Sequence, residues 1–186
     1  MLVFLTSLLF ITLAEMGDKT QLLAMALATK YKALHVLIGI FFATILNHAF
    51  AVWCGKFLTT IIPLNIISLI AAISFIAFGL WTLKGDKLDE KDKDKKPKYG
   101  PIITTAILFF IAEMGDKTQL TTVSLAVKFG DFVPVLTGTT LGMLVADAFG
   151  IGVGIVLGKK IPEHIIKWVS AGIFILFGIW GVWNVI

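Results

Sequence analysis

The sequence predicts an all-α membrane protein: six transmembrane helices as two inverted three-helix repeats, with both the N and C termini extracytoplasmic. Three observations carry that expectation. Hydrophobic residues make up 58% of the 186 residues and the mean hydropathy is +0.93, beyond a water-soluble domain, so lipid is the solvent for most of the chain. The octapeptide Glu15-Met16-Gly17-Asp18-Lys19-Thr20-Gln21-Leu22 returns letter for letter as Glu113-Met114-Gly115-Asp116-Lys117-Thr118-Gln119-Leu120, 98 residues on (113 minus 15). Each copy sits inside an apolar run long enough to cross a bilayer, where two acids and a lysine are costly and mark a working site. A repeat unit of half the chain, carrying that cost twice, points to a transporter whose two halves meet at one polar site.

Six apolar runs follow in order: 2–28, 33–55, 65–84, 101–127, 133–157 and 164–185. Each reaches the roughly 20 residues that a helical span needs. Pro63, Pro101, Pro134 and Pro162 fall at or near the predicted helix starts, where a missing N–H is tolerated. The first run has no charged segment before it and no evident cleavage site, and it carries the acidic motif. It reads as a retained helix rather than a removed signal peptide. The chain divides into repeat 1 (residues 1–83), a linker (84–100) rich in Lys, Asp and Glu, and repeat 2 (101–186). The charged linker reads as solvated and as a plain tether.

The halves align along their length. Gly39, Phe50 and Gly55 match Gly138, Phe149 and Gly154; Ala72, Phe75, Phe78, Gly79 and Trp81 match Ala171, Phe174, Phe177, Gly178 and Trp180. These pairs are 99 apart (138 minus 39), one more than the motifs, so one residue is inserted in the first inter-helix loop. Three spans per half is an odd number, so the second half enters the membrane from the opposite face and the repeat is inverted.

Lysines set the orientation. All 16 basic residues are lysines. Lys30 and Lys32, seven lysines between 84 and 98, and Lys159 and Lys160 follow helices 1, 3 and 5, whereas the other face has only Lys56 and Lys128 near helix ends. The positive-inside rule places the linker in the cytoplasm. The pI of about 9.2 therefore reports membrane flanks and not a nucleic-acid surface. Tyr31, Tyr99, Trp53, Trp81, Trp168, Trp180 and Trp183 mostly lie near predicted helix ends, as interfacial anchors do. A single cysteine, Cys54, excludes an internal disulfide and a cysteine metal cage. Small residues recur every fourth position at Gly39, Ala43, Ala51 and Gly55, and again at Gly138, Gly142, Ala146, Gly150, Gly154 and Gly158. Such a stripe admits close approach of another helix: the motif helices, or a second copy in a homo-oligomer.

Taken as helix, the motif puts Glu15 and Asp18 on one face, and likewise Glu113 and Asp116. Gly17 and Gly115 between them loosen the helix or let a neighbour approach its backbone. If the motif helices cross, four carboxylates converge, with Thr20, Thr118, Gln21 and Gln119 adding neutral oxygens. An all-oxygen set suits a hard divalent cation such as Mn²⁺, Ca²⁺ or Mg²⁺ and is a poor match to Cu⁺ or Zn²⁺. Four ionised carboxylates around a divalent ion leave −2, which a low-dielectric site does not tolerate. Protons must share the cluster, or Lys19 and Lys117 must supply charge. Metal and proton then compete for the same oxygens, which is the physical basis of exchange. Each lysine lies four residues after its own glutamate, the spacing of an intrahelical ion pair. Asp147 lies in the middle of helix 5, and its repeat partner is His48, beside Asn47. An intramembrane acid is functional by default, so Asp147, Asn47 and His48 are candidates for a proton or metal pathway.

Two E-x-G-D-K-[TS] motifs, each on the first helix of a three-helix half, resemble the membrane family once called uncharacterised protein family 0016. The matching residues are Glu15, Gly17, Asp18, Lys19 and Thr20, and Glu113, Gly115, Asp116, Lys117 and Thr118. That family includes Golgi, chloroplast and bacterial cation exporters associated with Mn²⁺ and Ca²⁺ transport driven by proton counter-flow. The resemblance implies that the motif acids bind the metal as cargo, with no tightly bound cofactor. No targeting extension precedes helix 1, which implies the compact prokaryotic form in the plasma membrane, moving metal out of the cytoplasm. Three readings compete. A channel or uniporter would pass divalent cations without coupling, and an exporter of a small organic cation shares the architecture. An intramembrane aspartyl protease would need Gly-x-Gly-Asp, whereas Glu-Met-Gly precedes each aspartate; no His-Glu-x-x-His or Gly-x-Ser-x-Gly occurs. The sequence does not support an enzyme.

Overall fold

The computed structural model describes residues 1–84, 99–157 and 163–183. Lys159, Lys160, Gly158 and nearly all of the lysine-rich linker lie outside them, as do the side chain of Trp81 and the packing of Gly154. Among the described residues all regular structure is helical: α1 (Leu2–Glu15), α2 (Lys19–Lys30), α3 (Ala33–Ile61), α4 (Leu64–Lys84), α5 (Pro101–Glu113), α6 (Lys117–Phe129), α7 (Phe132–Leu157) and α8 (Glu163–Trp183). Two of the expected continuous helices are thus broken. The run 2–28 is α1 plus α2, the run 101–127 is α5 plus α6, and both breaks fall on the repeated motif. The inserted residue of repeat 2 is taken up at the end of α6, which Gly130 closes in the left-handed conformation (φ +69°).

Only α3 and residues 132–153 of α7 are, among the described helices, long and apolar enough by themselves to cross a membrane. The half-helices α1 and α5 are shorter apolar segments. A broken helix in lipid is tolerated only where protein or a polar cavity covers the freed backbone. Such cover exists here because the repeats exchange partners: α1 packs on α7, α5 packs on α3, and α4 packs on α8.

The small-residue stripes make those contacts close. A Cβ added at Gly39 would lie 2.7 Å from the Ile102 carbonyl oxygen, and one at Gly138 would lie 2.5 Å from that of Phe4. At Gly142 the neighbour is the Leu8 carbonyl at 2.6 Å. These backbones approach closer than any side chain permits, so the glycines serve the contact between repeats. A phenylalanine cluster fills the centre. The rings of Phe10, Phe75, Phe174 and Phe177 meet at centroid distances of 4.3–6.1 Å, which joins α1 to the α4–α8 pair.

Candidate functional site

Each motif ends one half-helix and begins the next. Glu15 closes α1, Met16 is extended, Gly17 has φ +77°, and Asp18 (φ −85°, ψ 168°) is the N-cap of α2. The second copy repeats this: Glu113 closes α5, Gly115 has φ +80°, and Asp116 (φ −78°, ψ 167°) is the N-cap of α6. A positive φ costs about 1–2 kcal/mol for residues other than glycine, which is why glycine stands there. The glutamines fix the break. Gln21 Oε1 accepts the Gly17 N–H at 2.8 Å, and Gln119 Oε1 accepts that of Gly115 at 2.8 Å. Gln21 Nε2 also donates to the Ala146 carbonyl on α7 at 2.6 Å. The expectation that Glu and Asp share a helical face is therefore corrected, because the three-residue spacing spans a turn. In this structure the glutamine oxygens, expected as cation donors, are engaged by backbone amides.

The ion pairs differ from expectation too. Lys19 Nζ lies 2.6 Å from Asp116 Oδ1, and Lys117 Nζ lies 2.8 Å from Asp18 Oδ2. Each lysine reaches across to the aspartate of the other repeat and not back to its own glutamate. The motif has no helical i,i+4 geometry once Gly17 or Gly115 turns the chain, so the intrahelical pairing has no geometric basis. The two crossed pairs clasp the breaks together.

Glu15 and Glu113 stand beside this clasp, both essentially buried. The Thr20 hydroxyl donates to Glu15 and also lies beside Glu113. From the other repeat, Thr118 donates to Glu15 Oε2 at 3.3 Å. Each glutamate closes a half-helix whose last turn holds no basic residue, so it meets the negative end of a helix dipole, where cations are favoured. Asp147, fully buried on α7, has no hydrogen-bond partner at either carboxyl oxygen. It interacts electrostatically with Glu15, Asp18 and Glu113. Five buried acids, the buried Lys117 and the partly exposed Lys19 therefore form one cluster, formally −3 if every group is charged (−5 plus +2). Such a deficit in a protein interior calls for cations or protons. Among the described residues no three His, Cys, Asp or Glu side chains form a ready metal cage. The reason is visible: Asp18 and Asp116 are turned toward ammonium groups.

The flanking candidates divide. Asn47 Nδ2 donates to the Phe110 carbonyl at 3.2 Å and ties α3 to α5. His48 is buried on α3, and neither ring nitrogen has a hydrogen-bond partner. The broken helix was readable in one signal that the helical reading passed over. Gly followed by Asp, then Lys-Thr-Gln, is a left-handed C-terminal glycine running directly into an N-cap.

A family model described as "Divalent cation/proton antiporter GDT1" matches residues 3–90 and 101–186. The chain belongs to the GDT1 family. It is a transporter and not an enzyme, and with these apolar helices an integral membrane protein. Its similarity extends to a Vibrio cholerae protein named as a candidate manganese exporter, 38% identical over 96% of this chain and 90% of that one. A GDT1-like protein of Synechocystis is 28% identical over 97% of both chains. GDT1-like protein 5 of Arabidopsis thaliana is 30% identical over 95% of this chain and 93% of its own length. No solved structure matches.

Proposed function

We propose that this GDT1 protein exports Mn²⁺ from the cytoplasm across a prokaryotic plasma membrane in exchange for protons, with Ca²⁺ the other ion its oxygen donors suit. The observation that carries this reading is the crossed clasp: two lysine–aspartate pairs between two broken helices, beside two buried glutamates. Glu15, Glu113, Asp18 and Asp116 hold the cation, with Thr20 and Thr118 as neutral oxygens. Lys19 and Lys117 occupy the aspartates while the cation is absent, and yield them when it arrives. A hard divalent ion among carboxylates and hydroxyls matches that donor set, and the name of the Vibrio cholerae relative favours manganese.

Protons replace the metal charge when the site is empty, because an unneutralised −3 cluster in this interior is costly. Asp147 lines the route of protons or metal, with its repeat counterpart His48 and the adjacent Asn47. The breaks fit an arrangement in which α1 with α2, and α5 with α6, each make one membrane crossing. That yields six spans, inverted repeats over 1–83 and 101–186, a cytoplasmic linker and extracytoplasmic termini. Half-helix ends meeting at mid-membrane depth are the general form of an ion site in secondary transporters.

Equilibrium binding of Mn²⁺ to purified protein tests the assignment. Wild type binds one ion per site with Ca²⁺ competing, and Glu15→Gln or Asp116→Asn weakens binding at least tenfold while the protein stays folded. Undiminished binding in both variants would remove the motif acids as ligands.

A further inference from the structure

The two halves are alike in sequence but unlike in packing, and the difference is concentrated in α2 and α6. Nine of the thirteen residues of α6 are buried, against five of the twelve residues of α2. The contrast grows toward the helix ends. Ser124, Ala126 and Val127 are buried, whereas their repeat counterparts Ala26, Ala28 and Thr29 are half-buried or exposed. The clasp follows suit: the Lys117 side chain is 6% exposed and that of Lys19 is 31% exposed.

Specific contacts hold α6 in place. Ser124 Oγ lies 2.8 Å from Ser74 Oγ on α4. Val127 packs with Ala71, Leu58 and Ile62. A Cβ added at Gly55 of α3 would lie 2.7 Å from the Ala126 Cβ. Lys128 Nζ sits 4.1 Å over the Phe177 ring and 4.5 Å over that of Trp180 on α8. The repeat counterpart of the Ser74–Ser124 pair is Ile173 and Ala26, which cannot form that hydrogen bond. Packed helices with two arrangements are how a binding site changes the side it faces.

We propose that α6 is a gate, shut here by the Ser74–Ser124 bond and by Lys128 seated on Phe177 and Trp180, while its counterpart α2, held to α7 through Gln21, is packed less tightly. The clasp is therefore less covered on the side of α2, where the Lys19 side chain is 31% exposed, than on the side of α6, where that of Lys117 is 6% exposed. This rests on the transport reading above. Completing a cycle requires α6 to leave α4 and α8, and α2 to pack in turn. Opening α6 breaks the serine bond and unseats the lysine, so the contacts that close this gate also set how readily it opens.

The test is a cysteine pair across the gate, Ser74→Cys with Ser124→Cys, in full-length protein also carrying Cys54→Ala. Bridging the pair with a short thiol-specific cross-linker should stop Mn²⁺ movement in proteoliposomes, and reductant should restore the rate of the unbridged protein. Bridged protein that transports at the unbridged rate would overturn the gate. A second measurement needs neither bridging nor transport. In metal-free protein, a water-soluble maleimide should modify Ala26→Cys at least tenfold faster than Ser124→Cys, each in the Cys54→Ala background. Equal rates would overturn the asymmetry. Absence of Mn²⁺ transport in the wild type would instead refute the proposed substrate and leave the labelling contrast standing.

Discussion

Removing Lys117 should cost far more than removing Lys19, although the two occupy identical places in identical octapeptides. The Lys117–Asp18 pair is closed off, with side-chain exposures of 6% and 0%, whereas the Lys19 side chain is 31% exposed beside Asp116. At a separation of 2.8 Å two unit charges attract by about 6 kcal/mol at an effective dielectric of about 20, most of it offset by desolvation. Lys117→Met leaves Asp18 buried without its ammonium partner, and breaking such a pair costs roughly 3–5 kcal/mol. Lys19→Met also strips Asp116, only 4% exposed, of its partner, but the partial exposure of Lys19 lessens the loss, which should be about 1–2 kcal/mol. Unfolding by SDS titration in mixed micelles measures both. Combining Lys117→Met with Asp18→Asn should recover most of the loss, because a neutral amide is far cheaper to bury than an uncompensated carboxylate. Equal costs for the two lysine variants, or a double variant as unstable as Lys117→Met, would refute the crossed clasp as the dominant electrostatic contact.

Further outcomes follow from the breaks. Gly115→Ala places a Cβ where nothing lies within 4 Å, so only the positive φ is strained; it should lose about 1–2 kcal/mol, read by the same titration, and Gly115→Asn should lose less. Gln21→Leu removes two hydrogen bonds and Gln119→Leu one, so Gln21→Leu should be the more destabilising by about 1 kcal/mol. Gly150→Val should act like Gln21→Leu, since a Cβ there would lie 2.6 Å from Gln21 Cγ; thermal stability and Mn²⁺ transport report both.

Much of this was legible in the chain itself. The doubled octapeptide located the charged cluster, and the matched glycines foretold which backbones lie together: Gly39 meets Ile102 and Gly138 meets Phe4 in equivalent ways. Periodicity failed at the motif, because an apolar run on both sides of Glu15 reads as one helix whether or not the backbone turns inside it. Only the local chemistry of Gly17 and Asp18 separates the cases. Partner choice was hidden for a related reason. Spacing within one segment can suggest Glu15 for Lys19, but it cannot show Asp116, which becomes a neighbour only once the repeats exchange helices. The asymmetry between α2 and α6 was readable only beyond the octapeptide, where Ser124 replaces Ala26; the identical Lys19 and Lys117 differ only in how tightly the rest of the protein covers them.

The most direct test of the account is coupled flux. Purified protein in liposomes with an imposed pH gradient, with Mn²⁺ and internal pH followed together, should move Mn²⁺ uphill against opposite proton flow, and Glu15→Gln should show neither movement. Mn²⁺ flux that proceeds at the same rate and to the same level without the gradient would contradict proton exchange and leave a uniporter or channel.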